Sequence, residues 1–535
     1  MSPFRACFIV GRVGGDCPPY RDQVPVSASI LITRPSTTEL LKAHNSSAQD
    51  EYCKHKLETY TRQVQYSSLI IRVIMDFNAP IFLFLFLPVF IFIYYLAGRR
   101  ARLVVGILGS LLFYAWGNLT YIPLMLGLVI FAYLAARGIS QWRHQKLALF
   151  LLWFGILANI ALLIGFKLWS GVKYPLGLSY VTFQVIAYLF EVYNNKVDSE
   201  TNLINFSFYL LLFPKIPVGP ITRYSQLRDQ IQNIHVESLD VADGLRRFIV
   251  GFAKKALIAD TLAKVVTPIF NLTSPTISPS TAWLVIISYS LQLYFDFSGY
   301  TDMAIGLGRM LGFRFVENFN YPYMSKNIGE FWRRWHISLS NWFRDLVFYP
   351  LERRRLKWLG QPINILIVFV LTGLWHGLTM NFVIWGMIHG LALVFESTFL
   401  GRKLRTFWTP LQHIYALGVI LVGWVFFRSP SLHFALVFLR RLLGDTEGLK
   451  ILPFELTSPL PFIEPTFVIA LLAGLIFSFP VAQWLNGILK KIPEDKLALK
   501  IAVQVFSDLI LLLILVASIA ATTSSTFAPG IYGAF

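Results

Sequence analysis

Residues 79–97 read APIFLFLFLPVFIFIYYLA, an apolar and aromatic run without a single charge. A helix needs about 20 such residues to cross the hydrocarbon core of a bilayer, and this run is about that long. A barrel strand would alternate apolar and polar positions, so the unbroken run excludes one here. Comparable runs recur near 103–118, 121–136, 148–169, 175–193, 203–218, 246–270, 281–297, 362–379, 381–399, 410–427, 463–486 and 501–522. The expectation is an all-α polytopic membrane protein with about ten to thirteen transmembrane or re-entrant helices.

Composition agrees. Of the 535 residues, 55% are apolar, 16% aromatic and only 14% charged, with a mean hydropathy of +0.58. The net charge of +18 does not point to nucleic acid, because the basic residues fall mostly in short loops between apolar runs. GRRAR (98–102) and ARGISQWRHQK (136–146) lie on the same side of the spans between them. The positive-inside rule puts both in the cytoplasm of a multi-pass membrane protein, in contact with its lipids. Cys7, Cys17 and Cys53 all precede the first span, which leaves the membrane body without a disulfide, a thiolate nucleophile or a cysteine metal site. Residues 1–74 are mixed and aperiodic and carry no secretory h-region; they read as a disordered leader or the product of an upstream start. Residues 75–535 form the functional domain.

Polar segments interrupt the apolar pattern. LLFPKIPVGPITRY (211–224) carries three prolines and a glycine, so it cannot be one continuous helix. LYFDFSGYTDMAIGLG (293–308) sets Asp296 and Asp302 about a break expected at Gly299. EFWRRWHISLSNWFRD (330–345) gathers three arginines, a histidine and two carboxylates among aromatic residues, far from either terminus. Wound as one helix over 331–346, it puts Trp332, Trp335, Leu339, Trp342 and Leu346 on one face. Arg334, Ser338, Asn341 and Asp345 then form a polar stripe, and His336, Ser340 and Arg344 a third line between them. Such a helix lies at the membrane interface or lines a polar path.

In VFVLTGLWHGLTMNFVIWGMIHG (368–390), His376 sits beside Trp375 near the middle of an uncharged segment. An ionisable group at membrane depth is costly, which makes it a functional candidate, although a core histidine bonded to a carbonyl is the plainer alternative. Gly373 and Gly377 on either side suit close approach of a substrate. His389 reads as a packing residue. No metal site is expected, because neither His376 nor His336 has a further His, Asp or Glu three to five residues away. Nucleophilic-serine, Walker and Rossmann patterns are missing too. What is left is a histidine acting as general base on a hydroxyl or thioester, for which its near-neutral pKa suits it.

Several runs together resemble the membrane-bound O-acyltransferase superfamily, and within it the bacterial alginate O-acetyltransferase branch. They are PLGLSYVTFQVIAYLFEVY (175–193), FPKIPVGPITRY (213–224), NFNYPYMSKNIGEFWRRWHISLSNWFRDLVFYPL (318–351) and LTGLWHGLTMNFVIWGMIHG (371–390). The resemblance implies a ring of helices around a central funnel, entered by an acyl donor from the cytoplasm and by the acceptor from the other side. It makes His376 the catalytic residue and His336 the second important one. Trp375, Ser338, Asn341, Arg344 and Asp345 then support the substrate path. The donor it implies is acetyl-CoA, and the acceptor a hydroxyl of an exported polysaccharide such as alginate, reached directly or through a periplasmic acceptor protein. A D-alanyl transferase acting on teichoic acids is the neighbouring alternative. A transporter using Asp296 and Asp302 as an ion path is the alternative from another class.

Overall fold

A computed structural model describes residues 75–169, 171–353, 360–447, 464–489 and 496–524. The chain divides into two units, Met1–Arg72 and Val73–Phe535, and every described residue belongs to the second. The expected leader over 1–74, with all three cysteines, lies outside the described residues.

Among the described residues, all regular structure is helical. Five segments are long and apolar enough to cross a membrane: Arg99–Gln141, Lys146–Leu168, Met380–Ser397, Thr409–Arg428 and Ala498–Ser524. Phe82–Leu96, Leu178–Tyr193, Leu203–Lys215, Gln361–His376 and Pro465–Phe477 are apolar but shorter. Outward faces carry bare apolar side chains, among them Phe84, Phe92, Leu108, Leu134, Phe150 and Phe506. In water such a surface would drive association; facing lipid tails it costs nothing.

The 32-residue helix Pro279–Met310, largely buried, packs closely against the 16-residue helix Ser238–Ala253. They cross backbone to backbone. A Cβ added at Gly251 would stand 2.6 Å from the Gly299 carbonyl oxygen, and one at Gly306 would stand 2.5 Å from that of Gly244. Small residues at a crossing let helices approach this closely where no hydrophobic effect presses them together. The break expected at Gly299 is therefore absent. The helix runs through it, because the missing side chain makes room for a neighbour and leaves the backbone ladder intact. Asp296 pairs with Lys255 at 3.0 Å, and Asp302 with Arg247 at 2.8 Å and Lys254 at 2.6 Å. These carboxylates are neutralised by adjoining helical turns, which gives them a packing role.

Two other expectations fail. The span expected over 463–486 splits into Pro465–Phe477 and Val481–Leu489, because Pro480 has no amide hydrogen to continue the ladder. The single helix expected over 331–346 is instead two, Ile328–Arg334 and Ile337–Phe343, followed by a π turn over Arg344–Phe348. Between them His336 takes φ 43° and ψ 53°, a left-handed conformation that few residues other than glycine adopt. Asn318 imposes it. Its backbone carbonyl accepts from Ile337 N–H at 3.0 Å, and its side-chain oxygen accepts from Ser338 N–H at 3.1 Å and Ser338 Oγ at 2.9 Å. Three bonds to one asparagine outweigh the ladder bonds a straight helix would have made. The apolar face survives the break, since Trp335, Leu339 and Trp342 are all buried. The polar stripe does not, because the kink turns its two halves apart.

Candidate active site

The helix Gln361–His376 doubles back through Gly377–Thr379 into the helix Met380–Ser397. His376 is thus the last helical residue at a hairpin bend, not the midpoint of a span. Its glycine neighbours serve the hairpin rather than a substrate. A Cβ on Gly373 would lie 2.3 Å from the Phe382 carbonyl oxygen, and one on Gly377 2.4 Å from the Phe382 ring. The imidazole is wrapped by Trp375, Trp385 and Phe427, with ring centroids at 4.5, 5.1 and 4.9 Å.

His376 lines a cavity together with Lys167, Tyr174, Gly177, Ser179, Tyr180, Pro217 and Trp375. Its volume of about 20 Å³ holds about one water, so it is a socket for one small polar group rather than for a whole sugar. Gly177 closes one wall. With φ +68°, it brings Leu178–Tyr193 against the proline-broken segment, and a Cβ there would stand 2.2 Å from the Ile216 carbonyl oxygen. Only glycine accepts both the conformation and the contact. Lys167, in the last turn of Lys146–Leu168, donates through Nζ to the carbonyl of Trp375.

His336 also packs near Trp375. The Trp375 ring centroid lies 6.2 Å from that of His336 and 5.5 Å from that of Phe183, on which it stacks. The tautomer of His336 follows from its partner. Asn318 Oδ1 already accepts from the Ser338 backbone N–H, so it is the oxygen, and His336 Nδ1, 3.1 Å away, must be the donor. In the neutral ring that leaves the lone pair on Nε2, which is buried and without a hydrogen-bond partner. A second link ties this turn to the socket: Ser338 Oγ accepts from Ile221 N–H at 3.2 Å, anchoring the 211–224 segment that contributes Pro217.

The structure therefore gathers His376, Trp375, His336 and Ser338. It places Asn341, Arg344 and Asp345 in a different cluster. There Arg223 donates to the Asn341 carbonyl at 3.3 Å and to Asp345 at 2.6 Å, while Arg344 reaches Asp345 at 2.9 Å with its own side chain 49% exposed. Burial pushes the Asp345 carboxyl up, but the hydrogen bonds from Arg344 and Arg223 outweigh it and hold it below its ordinary value. Lys167, Tyr180 and Asn318 went unread in the sequence. The one available signal for Lys167 was a lysine in the last turn of an otherwise uncharged span. Among the described residues no group of three or more His, Cys, Asp or Glu side chains could hold a metal ion.

Comparison with known proteins gives this arrangement a class. A sequence model of MBOAT, the membrane-bound O-acyltransferase family, matches residues 50–438. The chain belongs to that family and is an O-acyltransferase, an integral membrane enzyme. It is 40% identical over 371 residues to a probable alginate O-acetylase of Pseudomonas fluorescens, covering 68% of this chain and 74% of the relative. It is 33% identical over 429 residues to a peptidoglycan O-acetyltransferase of Helicobacter pylori, covering 70% and 81%. A teichoic acid D-alanyltransferase of Bacillus subtilis is 30% identical over 280 residues, covering 48% and 70%.

Proposed function

We propose that the protein transfers an acetyl group from acetyl-CoA on the cytoplasmic side to hydroxyls of an exported polysaccharide such as alginate, with His376 as the general base. The reading sets about ten to thirteen spans around a central funnel in the cell inner membrane, with GRRAR and the Arg143 loop in the cytoplasm. The observation that carries it is His376 at a polar socket inside an apolar bundle, in a chain whose relatives are named for O-acetyl transfer to alginate and peptidoglycan.

In the reaction the acceptor hydroxyl attacks the thioester carbonyl while His376 takes its proton. The tetrahedral intermediate then expels the thiolate, which is protonated in turn, so one C–O bond replaces one C–S bond. Trp375 packs against both His376 and His336, with ring centroids at 4.5 and 6.2 Å. His336, its Nδ1–H spent on Asn318, is assigned in this reading to positioning donor or acceptor. The final acceptor is the polymer itself or a periplasmic acceptor protein that passes the acetyl on.

Membrane vesicles given radiolabelled acetyl-CoA and oligosaccharide test this. Label on the sugar, lost in His376→Ala, supports the reading; label that stays with the donor in the wild type ends it. The D-alanyl reading is favoured by the teichoic acid relative. It requires a carrier-protein thioester as donor, and transfer from such a carrier but not from acetyl-CoA would establish it.

A further inference from the structure

Lys255 and Lys215, both buried, are answered by the protein. Lys255 pairs with Asp260 and, at 3.0 Å, with Asp296. Lys215 donates to Gln184 Oε1 and lies over the Tyr209 ring, 4.0 Å from its centroid. Lys167 differs. It ends a strongly apolar span, where a cation is costly, and it donates to a neutral carbonyl, that of Trp375. That bond takes one of three N–H donors and sets the ammonium beside the residue that precedes His376. Among the described residues no carboxylate lies within ion-pair distance of it. No Asp or Glu lines the cavity it shares with His376. Tyr174 and Ser179 line the same cavity and share one hydrogen bond at 2.7 Å, in which either oxygen can donate. Two hydroxyls joined by one bond keep one O–H hydrogen to give. Lys167 and Tyr174 are only half-buried, so each retains surface of its own. A histidine, a cation with spare donors and a hydroxyl donor thus surround room for about one water.

We propose that this socket is the oxyanion hole of the transfer, in which Lys167 and the hydroxyl pair of Tyr174 and Ser179 receive the thioester carbonyl oxygen. The inference rests on the acyl-transfer reading. Room for one water fits one acyl oxygen and leaves the sugar and the rest of the donor outside. As the acceptor oxygen bonds to the carbonyl carbon, the C=O π pair moves onto the carbonyl oxygen and His376 takes the hydroxyl proton. When that pair returns, the C–S bond breaks and the thiolate leaves with the proton. The charge on the oxygen exists only between these two steps. A fixed cation inside an apolar bundle therefore stabilises the intermediate more than the neutral thioester, which is what raises a rate. Lys167 is then a catalytic residue, and its bond to the Trp375 carbonyl holds it at the end of the helix that carries His376.

The test compares acetyl-CoA with its dithioester counterpart, in which sulfur replaces the carbonyl oxygen. The full chain in membrane vesicles is given each donor with an alginate oligomer as acceptor. Sulfur is larger and accepts hydrogen bonds poorly, so the wild type is expected to prefer the oxygen donor. Lys167→Met should lower kcat for acetyl-CoA about 10²-fold, with KM changed no more than a few-fold, and the oxygen-over-sulfur ratio of kcat should fall about tenfold. A lysine that only props the Trp375 carbonyl would slow both donors alike. A fall in kcat with an unchanged ratio therefore overturns the inference, as does a normal kcat. Should Lys167→Met not accumulate, the double variant Tyr174→Phe with Ser179→Ala decides: a reduced ratio supports the hole, and an unchanged ratio overturns it. Wild-type transfer from neither donor ends the acetyl-transfer reading and the inference with it. Transfer without the ratio effect ends the inference alone.

Discussion

His376 and His389 sit on the two arms of one helical hairpin, both buried and both among tryptophans, yet their surroundings differ in kind. His376 ends its helix and borders a cavity that also holds a lysine and hydroxyl groups. His389 lies inside the next helix, fully enclosed, with the rings of Trp332, Trp385 and Phe331 at 5.2, 5.3 and 5.9 Å. Neither of its ring nitrogens has a hydrogen-bond partner, and Gly423 crosses so near that an added Cβ would stand 2.9 Å from Nε2. No substrate can reach that ring. Burial makes a histidine conspicuous in a membrane helix, but only an adjoining polar space gives it work.

The sharpest way to break this contrast is His376→Ala. Loss of a general base lowers transfer by about 10²–10⁴-fold, while the protein should still accumulate in the membrane. Acetyl transfer and membrane abundance, measured together, check both halves. A variant that is absent from the membrane would make His376 a packing residue like His389.

Asn318→Ala attacks the other histidine through its holder. It strips the acceptor from Ser338 N–H, Ser338 Oγ and His336 Nδ1 at once. About 3 kcal/mol of stability should go with it, along with much of the activity, because the left-handed turn at His336 loses its clamp. Thermal unfolding in detergent and transfer per folded molecule measure the two effects. Unchanged activity would show that the His336 turn has no part in the reaction.

His389→Ala should do the opposite of His376→Ala. It empties a site among aromatic rings, for about 2–3 kcal/mol of stability, while transfer per folded molecule stays within a few-fold. His389→Phe should recover most of the loss, since an aromatic ring fills the same space without unpaired nitrogens. A large fall in turnover with normal stability would dissolve the distinction between the two histidines.

The smallest effects belong to the Arg223 cluster. Arg223→Ala should cost about 1–2 kcal/mol, because its guanidinium is largely buried and serves both Asp345 and the Asn341 carbonyl. Arg344→Ala should cost about 0–1 kcal/mol, its side chain being half exposed. Unfolding midpoints rank the pair, and the reverse order would restore Arg344 to the substrate path expected from a single straight helix.

Much of the architecture was legible because it is local. A run such as 79–97 states its solvent whatever its neighbours, and His376 stands out because charge and hydropathy are read one residue at a time. Apart from the span broken at Pro480, the errors came where a distant segment decided the outcome. Gly299 reads as a breaker alone and becomes a contact point only when Gly251 arrives opposite it. The 331–346 stretch has the period of one helix, but Asn318 offers its backbone better partners than the helix does.

The sequence by itself determined the class of solvent and the helical secondary structure, since these follow from composition and spacing along the chain. Tertiary structure alone decided that His336 sits at a left-handed turn with its lone pair on Nε2. It alone decided that Gly373 and Gly377 close a hairpin, and that Lys167, more than two hundred residues before His376, shares its cavity. The physical reason is the same in each case. A hydrogen bond or close approach between remote segments replaces a local preference of comparable size, and no local pattern records which remote partner will arrive.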